Sequence, residues 1–318
     1  MTLRCVILDD YQNVARHMAD WSALDNHVEV TTHRHHIDNH DTLVDTLHDA
    51  QIVVIMRERT PFPADLIRRL PHLELLITSG MRNASIDLDA ATQHGVTVCG
   101  TASTSTPPAE LTWALILGLT RHLVTENTAL RTNGPWQSTV GTGLNGKTLG
   151  LLGFGKIGTQ IARVARAFGM NVTAWSTNLT TDRTDPEGVR LVTRHQLLTD
   201  SDILSVHLVL SDRTRGLIGA DELALMRPDA LLVNTSRAAI IDQPALIDAL
   251  RNHRIGGAGL DVFDQEPLPA DHPFRTLPHV LATPHLGYVT DGNYHTYFRE
   301  AVENIQAYLA GTPIRTLR

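Results

Sequence analysis

A chain of 318 residues is long for a single hydrophobic core, so two domains are expected. Its 42% apolar and 19% charged residues are ordinary for a folded globular protein, and a net charge of -7 with a pI near 6.2 offers no basic stripe to a nucleic acid or an anionic membrane. Cys5 and Cys99, the only two cysteines, stand far apart and in no CxxC or Cys/His ligand pattern, which argues against a disulfide framework or a zinc site and favours the reducing cytoplasm.

Short β-branched runs alternate with helix-length amphipathic segments, the pattern of βα units around a parallel sheet. The apolar run before Asp9 and Asp10 is too short for a signal peptide or a membrane span and reads as the first strand. Strands are expected at Cys5 to Leu8, Val28 to Thr31, Ile52 to Met56, Leu75 to Thr78 and Val96 to Val98, with helical segments at Leu43 to His48 and Pro63 to Leu70. Gly95 suits a helix C-cap or turn. Of 17 histidines, His33, His35, His36 and His40 crowd one stretch; among Thr, Arg, Asp and Asn with no apolar face, they read as a solvated loop or helix end rather than a metal site.

Gly100 to Pro108, rich in Thr, Ser, Ala and Pro, has the texture of a linker, and Pro108 suits the first turn of a helix continuing from Ala109 to Leu123. The polar stretch from Arg131 to Lys147 carries Trp136; so long a segment without periodicity usually has a function or a partner. A second strand series begins at Thr148 and continues at Val172 to Trp175, Ile203 to Val206, Leu231 to Asn234, Gly257 to Leu260 and Val280 to Ala282, and Tyr294 to Leu309 reads as a closing helix.

The second series opens on Gly153-Phe154-Gly155-Lys156-Ile157-Gly158, a GxGxxG turn between a strand and a helix from Thr159 to Phe168. Gly153 allows the tight turn, Gly155 lets backbone amides approach a pyrophosphate, and Gly158 lets helix and strand pack closely, with the helix N-terminus facing the anion. The next strand should end in an acid for the ribose hydroxyls, yet Trp175 is followed by Ser176, Thr177 and Asn178, so the usual repulsion of a 2′-phosphate is missing; equally, no arginine stands among Ser176 to Leu179 to hold such a phosphate, the nearest being Arg183. NAD and NADP both remain open.

Three further strand ends carry polar residues: Asn234 to Arg237, Asp261 to Glu266, and Thr283-Pro284-His285. Oxidising a secondary alcohol needs a group to take the hydroxyl proton, which suits an imidazole. A carboxylate beside it, Glu266, fixes its tautomer, and a guanidinium, Arg237, suits a carboxylate or a developing alkoxide. Singly, each residue equally suits a plain turn or cap; together, after a dinucleotide fingerprint, they suggest a site.

In these motifs the sequence resembles the D-isomer-specific 2-hydroxyacid dehydrogenase family over nearly its whole length. The resemblance implies two Rossmann-like, doubly wound parallel-sheet α/β domains. One is a discontinuous, flavodoxin-like substrate domain at 1–101 and 287–318; the other is a dinucleotide-binding domain inserted at 102–286. It implies His285 as acid/base, Glu266 as its partner and Arg237 on the substrate carboxylate and carbonyl. Asp261 then lies near the nicotinamide amide and His207 beside the cofactor. The backbone amides of Ser79, Gly80 and Met81 hold the substrate carboxylate, and Pro107, Ala109 and Glu110 start an interdomain helix. The expected reaction interconverts a small D-2-hydroxy acid and its 2-keto acid with NAD or NADP, in a cytoplasmic homodimer built through that helix and the 131–147 arm.

Three departures, Ala238 for a glycine, Val209 for a proline and Tyr288 for a small residue, bear on substrate identity and pocket shape. Arg57 and Arg82 read as surface arginines, with a second anionic group of the substrate as the other reading. A nucleotide-sensing regulator or corepressor on the same scaffold is the alternative to an enzyme, since such relatives also keep Arg, Glu and His. Formate oxidation is disfavoured, because formate-oxidising relatives carry glutamine where Glu266 stands.

Overall fold

The structure is a computed structural model and describes residues 2–318. It divides into two compact units, residues 2–104 with Val289–Arg318, and Ser105–Tyr288.

In the first unit, β1 (Leu3–Ile7), β2 (Val28–Thr32), β3 (Ile52–Ile55), β4 (Leu75–Thr78) and β5 (Thr97–Cys99) form one parallel sheet in the order β2-β1-β3-β4-β5. β3 and β4 are buried at every position, as expected of strands covered on both faces. Helices α1 (His40–Leu47), α2 (Ala64–Arg68) and α3 (Leu88–Gln93) supply crossovers. Asn39 caps α1 and Asp87 caps α3, each side chain accepting from a first-turn amide, and Gly95 takes φ +72 just past α3.

The second unit begins at α4 (Thr106–Thr120), so the expected linker is shorter than its composition suggests. The helix already includes Pro107 and Pro108, whose missing amides fall in the first turn, where they cost nothing. It also ends earlier than apolar content alone implies. His122 at φ +51 breaks the path before α5 (Leu123–Arg131), a device for which a non-glycine residue gives no sequence warning.

From there β6 (Thr148–Leu152), α6 (Lys156–Ala167), β7 (Asn171–Trp175), α7 (Thr181–Thr184), β8 (Arg190–Leu191), α8 (Arg194–Asp200), β9 (Ile203–Val206), α9 (Ala220–Leu225), β10 (Leu231–Asn234), α10 (Gln243–Arg251), β11 (Gly257–Leu260) and β12 (Val280–Ala282) follow. Their sheet is parallel throughout, in the order β12-β11-β10-β9-β6-β7-β8. β6 therefore has β7 on one side and β9 on the other, the reversal of strand order outside which ligands of doubly wound sheets bind. β8, only two residues long, carries no apolar run and escaped the sequence reading.

The chain returns to the first unit as α11 (Asp291–Leu309), capped by Thr290. Buried Glu300 accepts from Ala102 N at 2.6 Å, Asn304 Nδ2 donates to Gly100 O at 2.9 Å, and Leu317 N donates to Val98 O at 2.8 Å. The terminal segment is thus fastened to the strand the unit leaves on. Each unit has its own apolar core, so each is a folded body in its own right.

Candidate active site

The second unit carries the fingerprint and the three polar strand ends along one edge of its sheet, because every strand is parallel. Gly153 follows β6, Ser176 follows β7, His207 follows β9, Arg237 follows β10, Asp261 follows β11 and His285 follows β12.

His285 and Glu266 are brought together: Nδ1 lies 2.6 Å from Glu266 Oε2. A carboxylate only accepts, so Nδ1 carries the hydrogen and Nε2 is left as the nitrogen that exchanges a proton with a reactant. Glu266 is held in turn by the amide of Phe263, which donates to Oε1 at 2.9 Å.

The backbone of His285 is unusual. At φ +52 it occupies the left-handed region, which costs a residue with a β-carbon about 1 kcal/mol or more. Asp261 maintains it. Fully buried at the end of β11, its Oδ1 accepts from Thr283 Oγ1 at 2.6 Å and Leu286 N at 2.7 Å, and its Oδ2 accepts from Gly287 N at 2.8 Å. Donors on both sides of His285 thus converge on one carboxylate. A β-carbon at position 287 would lie 3.1 Å from Asp261 Oδ2, so glycine there permits the close approach. Burial pushes the Asp261 carboxyl above the usual carboxylate range, against the opposing effect of its three hydrogen bonds. The resemblance implied a place for Asp261 beside the cofactor; in the structure its carboxylate accepts hydrogen bonds from the loop that carries His285.

Tyr288 is a second feature the sequence left open. Its ring, 7% exposed, stands edge-on to His285 with centroids 5.4 Å apart at 72°, so the bulky residue packs as a wall against the imidazole.

Arg237 sits in extended backbone before a 3-10 turn, Ala238–Ile240, and its Nη1 donates to Ser236 O at 2.8 Å. The loop is rigid: Asn234 Nδ2 donates to Arg237 O at 2.9 Å, and Ser236 Oγ donates to Leu208 O at 2.7 Å, tying the end of β10 to the end of β9. Ala238 opens the turn in a conformation that does not require glycine.

The glycine motif has the geometry its spacing implies. Gly153 takes φ +103, and a β-carbon there would lie 2.6 Å from His207 O; one at Gly158 would lie 2.7 Å from Gly153 O. Phe154 is buried, Ile157 half-buried and Lys156 exposed in the first turn of α6. His207 Nε2 is 2.8 Å from Ser205 Oγ, and Val209 beyond it is exposed.

A family model described as "D-isomer specific 2-hydroxyacid dehydrogenase, NAD binding domain" matches residues 113–287. The glyoxylate reductase of Aeropyrum pernix is 38% identical over 256 residues, covering 78% of this chain and 76% of that protein. The chain belongs to the D-isomer specific 2-hydroxyacid dehydrogenase family. The D-3-phosphoglycerate dehydrogenase of Bacillus subtilis is 37% identical over 273 residues; the match takes in 85% of this chain but 51% of that protein, so the chain spans about half the length of this relative. Among solved structures, a phosphoglycerate oxidoreductase from Vibrio cholerae superposes with a TM-score of 0.93 at 35% identity, over 98% of this chain and 100% of the other.

In this dehydrogenase-family chain the residues present fit a dinucleotide. Gly155 caps α6 with no side-chain hydrogen bond, and nothing lies within 4 Å of where its β-carbon would be. The first amides of a 12-residue helix therefore face open space beside a backbone-only surface, a site for a pyrophosphate.

The family's carboxylate-holding turn is less free than the resemblance implied. In the first unit, Ser79 N donates to Ile55 O at 3.2 Å and Gly80 N to Thr101 Oγ1 at 2.9 Å, continuing strand pairing past the end of β4; these amides are spent inside the unit. Met81 is exposed. Arg57, read as a surface arginine, lies across Gly80, where a β-carbon would be 2.1 Å from Nη1, and donates to Ser79 O at 3.3 Å, while Arg82 is exposed. The histidine stretch also differs from a plain solvated loop: His36 Nδ1 is 3.0 Å from buried Asp9, which raises the His36 pKa.

Burial holds His207 down to about 4 from the ordinary 6.5, so the ring is neutral in the folded protein at physiological pH. An unfolded chain binds this proton at higher pH, so stability must fall as pH drops from about 6.5 towards 4. His207→Gln, measured by chemical denaturation across that range, is expected to flatten the slope; an unchanged slope would contradict this source for it.

Proposed function

We propose that the chain is an oxidoreductase that interconverts a small D-2-hydroxy acid and its 2-keto acid using NAD or NADP, with His285 as acid/base, Glu266 as its partner and Arg237 as the cation facing substrate. The observation that carries the reading is the 2.6 Å contact between His285 and Glu266 on the sheet edge that also bears the glycine loop. Glyoxylate reductase and hydroxypyruvate reductase among the relatives support it. These names favour an enzyme over a regulator.

A nicotinamide dinucleotide, when bound, supplies the hydride for reduction and receives it in oxidation. During reduction His285 Nε2 donates a proton to the carbonyl oxygen as the carbon is reduced; in the reverse direction it takes the hydroxyl proton. Glu266 holds the ring in the required tautomer and offsets the charge of the imidazolium. Arg237 pairs with the substrate carboxylate and stabilises charge on the reacting oxygen. In the first unit, the Met81 end of the 79–81 turn is proposed as the backbone contribution to carboxylate binding, with Ser79 and Gly80 shaping it. Asp261 is proposed to act near the nicotinamide amide chiefly through the loop it holds.

A homodimer and a cytoplasmic location belong to the same reading. Leu123, Val124 and Leu130 on α5, with Trp136 at 81% and Val140 at 93% exposure, form an apolar arm that suits a second copy. Both cysteines are free thiols rather than a disulfide, which suits a reducing compartment and is checked by cell fractionation; burial pushes the Cys5 thiol up to about 12 and Cys99 to about 11, so both are unreactive.

Glyoxylate, hydroxypyruvate, phenylpyruvate and branched 2-keto acids, each assayed with NADH and NADPH, test the activity. Oxidation of a reduced cofactor with at least one acid is expected. No turnover with any of them, together with cofactor-dependent capture of a protein partner, would reverse the reading in favour of a regulator. Light scattering is expected to give twice the mass of the chain, falling to a single mass on Trp136→Glu with Val140→Asp; a monomeric unsubstituted protein would contradict the dimer.

A further inference from the structure

The end of β7 lacks the group that normally selects against a phosphate on the adenosine ribose. In dinucleotide folds a carboxylate at this strand end binds the ribose 2′-hydroxyl and repels a 2′-phosphate, whereas an arginine nearby accommodates it. Here Trp175 O accepts from Gly153 N at 2.8 Å, which seats the strand end directly against the glycine loop. The three residues that follow are Ser176, half-buried, and Thr177 and Asn178, both exposed. Among the described residues their side chains form no hydrogen bond, so two hydroxyls and a carboxamide are available to an incoming ligand. None of them repels an anion.

A cation is already in place. Arg183, exposed in α7, reaches back across the loop, and its Nη2 donates to Phe154 O at 3.0 Å. Phe154 is the second residue of the glycine motif, so this bond fixes the guanidinium at the junction of the loop and the strand end rather than in bulk solvent. One of its five donors is used there, leaving others for a ligand. The nearby acids do not cancel it: Glu187 is taken by Arg163, whose Nε donates to it at 2.9 Å, while Asp182 and Asp185 are exposed to solvent. Arg166 is anchored away from this point on Glu187 O at 3.0 Å.

We infer that Arg183, with Ser176, Thr177 and Asn178, forms a subsite for a ribose 2′-phosphate, and that the chain binds NADP(H) in preference to NAD(H). The inference rests on the proposed use of a dinucleotide at the Gly153–Gly158 loop. It extends that reading by naming which of the two cofactors this protein takes and the residue that selects it. A planar guanidinium forming charge-assisted hydrogen bonds to a phosphate is worth about tenfold or more in affinity.

Equilibrium titration of the purified full chain with NADPH and with NADH, followed by energy transfer from tryptophan or by calorimetry, reads the preference without any turnover. The unsubstituted protein is expected to bind NADPH at least tenfold more tightly. Arg183→Ala is expected to lower the ratio of the two affinities about tenfold, and Arg183→Lys to keep part of it. Thr177→Asp, which leaves Arg183 in place, is expected to invert the preference by supplying the missing carboxylate. Competition by 2′,5′-ADP against 5′-AMP isolates the phosphate itself and should show the same bias. Equal affinity for both cofactors, or a ratio that Arg183→Ala leaves unchanged, would overturn the subsite while leaving dinucleotide binding intact. Failure to bind either cofactor would overturn the dinucleotide reading and the subsite with it.

Discussion

A single buried carboxylate holds the proposed catalytic loop in shape. Asp261 accepts from Thr283, Leu286 and Gly287, the residues flanking His285, and so stabilises a left-handed backbone that an ordinary side chain adopts at a cost. With that backbone fixed, the imidazole meets Glu266 through Nδ1 and stands edge-on to Tyr288. Removing the acceptor would take this partner from two backbone amides, that of Gly287 buried, and from a hydroxyl, and the conformation of His285 would lose its support. The position of Asp261 at the end of β11, beside the end of β12, lets one side chain span both loops.

The parallel sheet supplies the rest. Because all seven strands run the same way, each delivers its terminal residues to one edge. Hydrogen bonds between neighbouring loops, Ser236 to Leu208 and Gly153 to Trp175, then lock the edge laterally. Precision at the site thus comes from backbone tied to backbone and to small polar groups at the rim of the unit's apolar core. The same edge continues past β7, where Arg183 rests on the glycine loop.

Much of this was legible in the sequence. Ile203 to Val206, Leu231 to Asn234, Gly257 to Leu260 and Val280 to Ala282 fold at the predicted bounds because short apolar runs flanked by polar residues have few other ways to bury themselves. The glycine motif was legible for a stronger reason: Gly153 and Gly158 answer steric demands, seen in the close approaches to His207 O and Gly153 O, while Gly155 leaves the space in front of the loop open. What escaped notice depends on contacts between residues distant in sequence. Nothing in the run from Asp261 to Glu266 says that the first acid holds a loop more than twenty positions on. Likewise Arg57 and His36 looked solvated, because the groups that receive them, Ser79 O and Asp9, come from other strand ends. The two amides of the 79–81 turn are consumed by a strand end and a threonine hydroxyl, partners that a motif match cannot reveal. β8 and the break at His122 were lost for local reasons, one being too short to show a period and the other using a residue without a turn signature.

The role proposed for His285, proton carrier rather than structural histidine, is open to direct test. Replacing it with alanine and measuring steady-state reduction of the best keto acid beside direct titration of the reduced cofactor separates the two roles. Turnover is expected to fall by about two to four orders of magnitude, the usual worth of a general acid, with cofactor affinity largely retained. Turnover close to that of the unsubstituted protein would contradict that role.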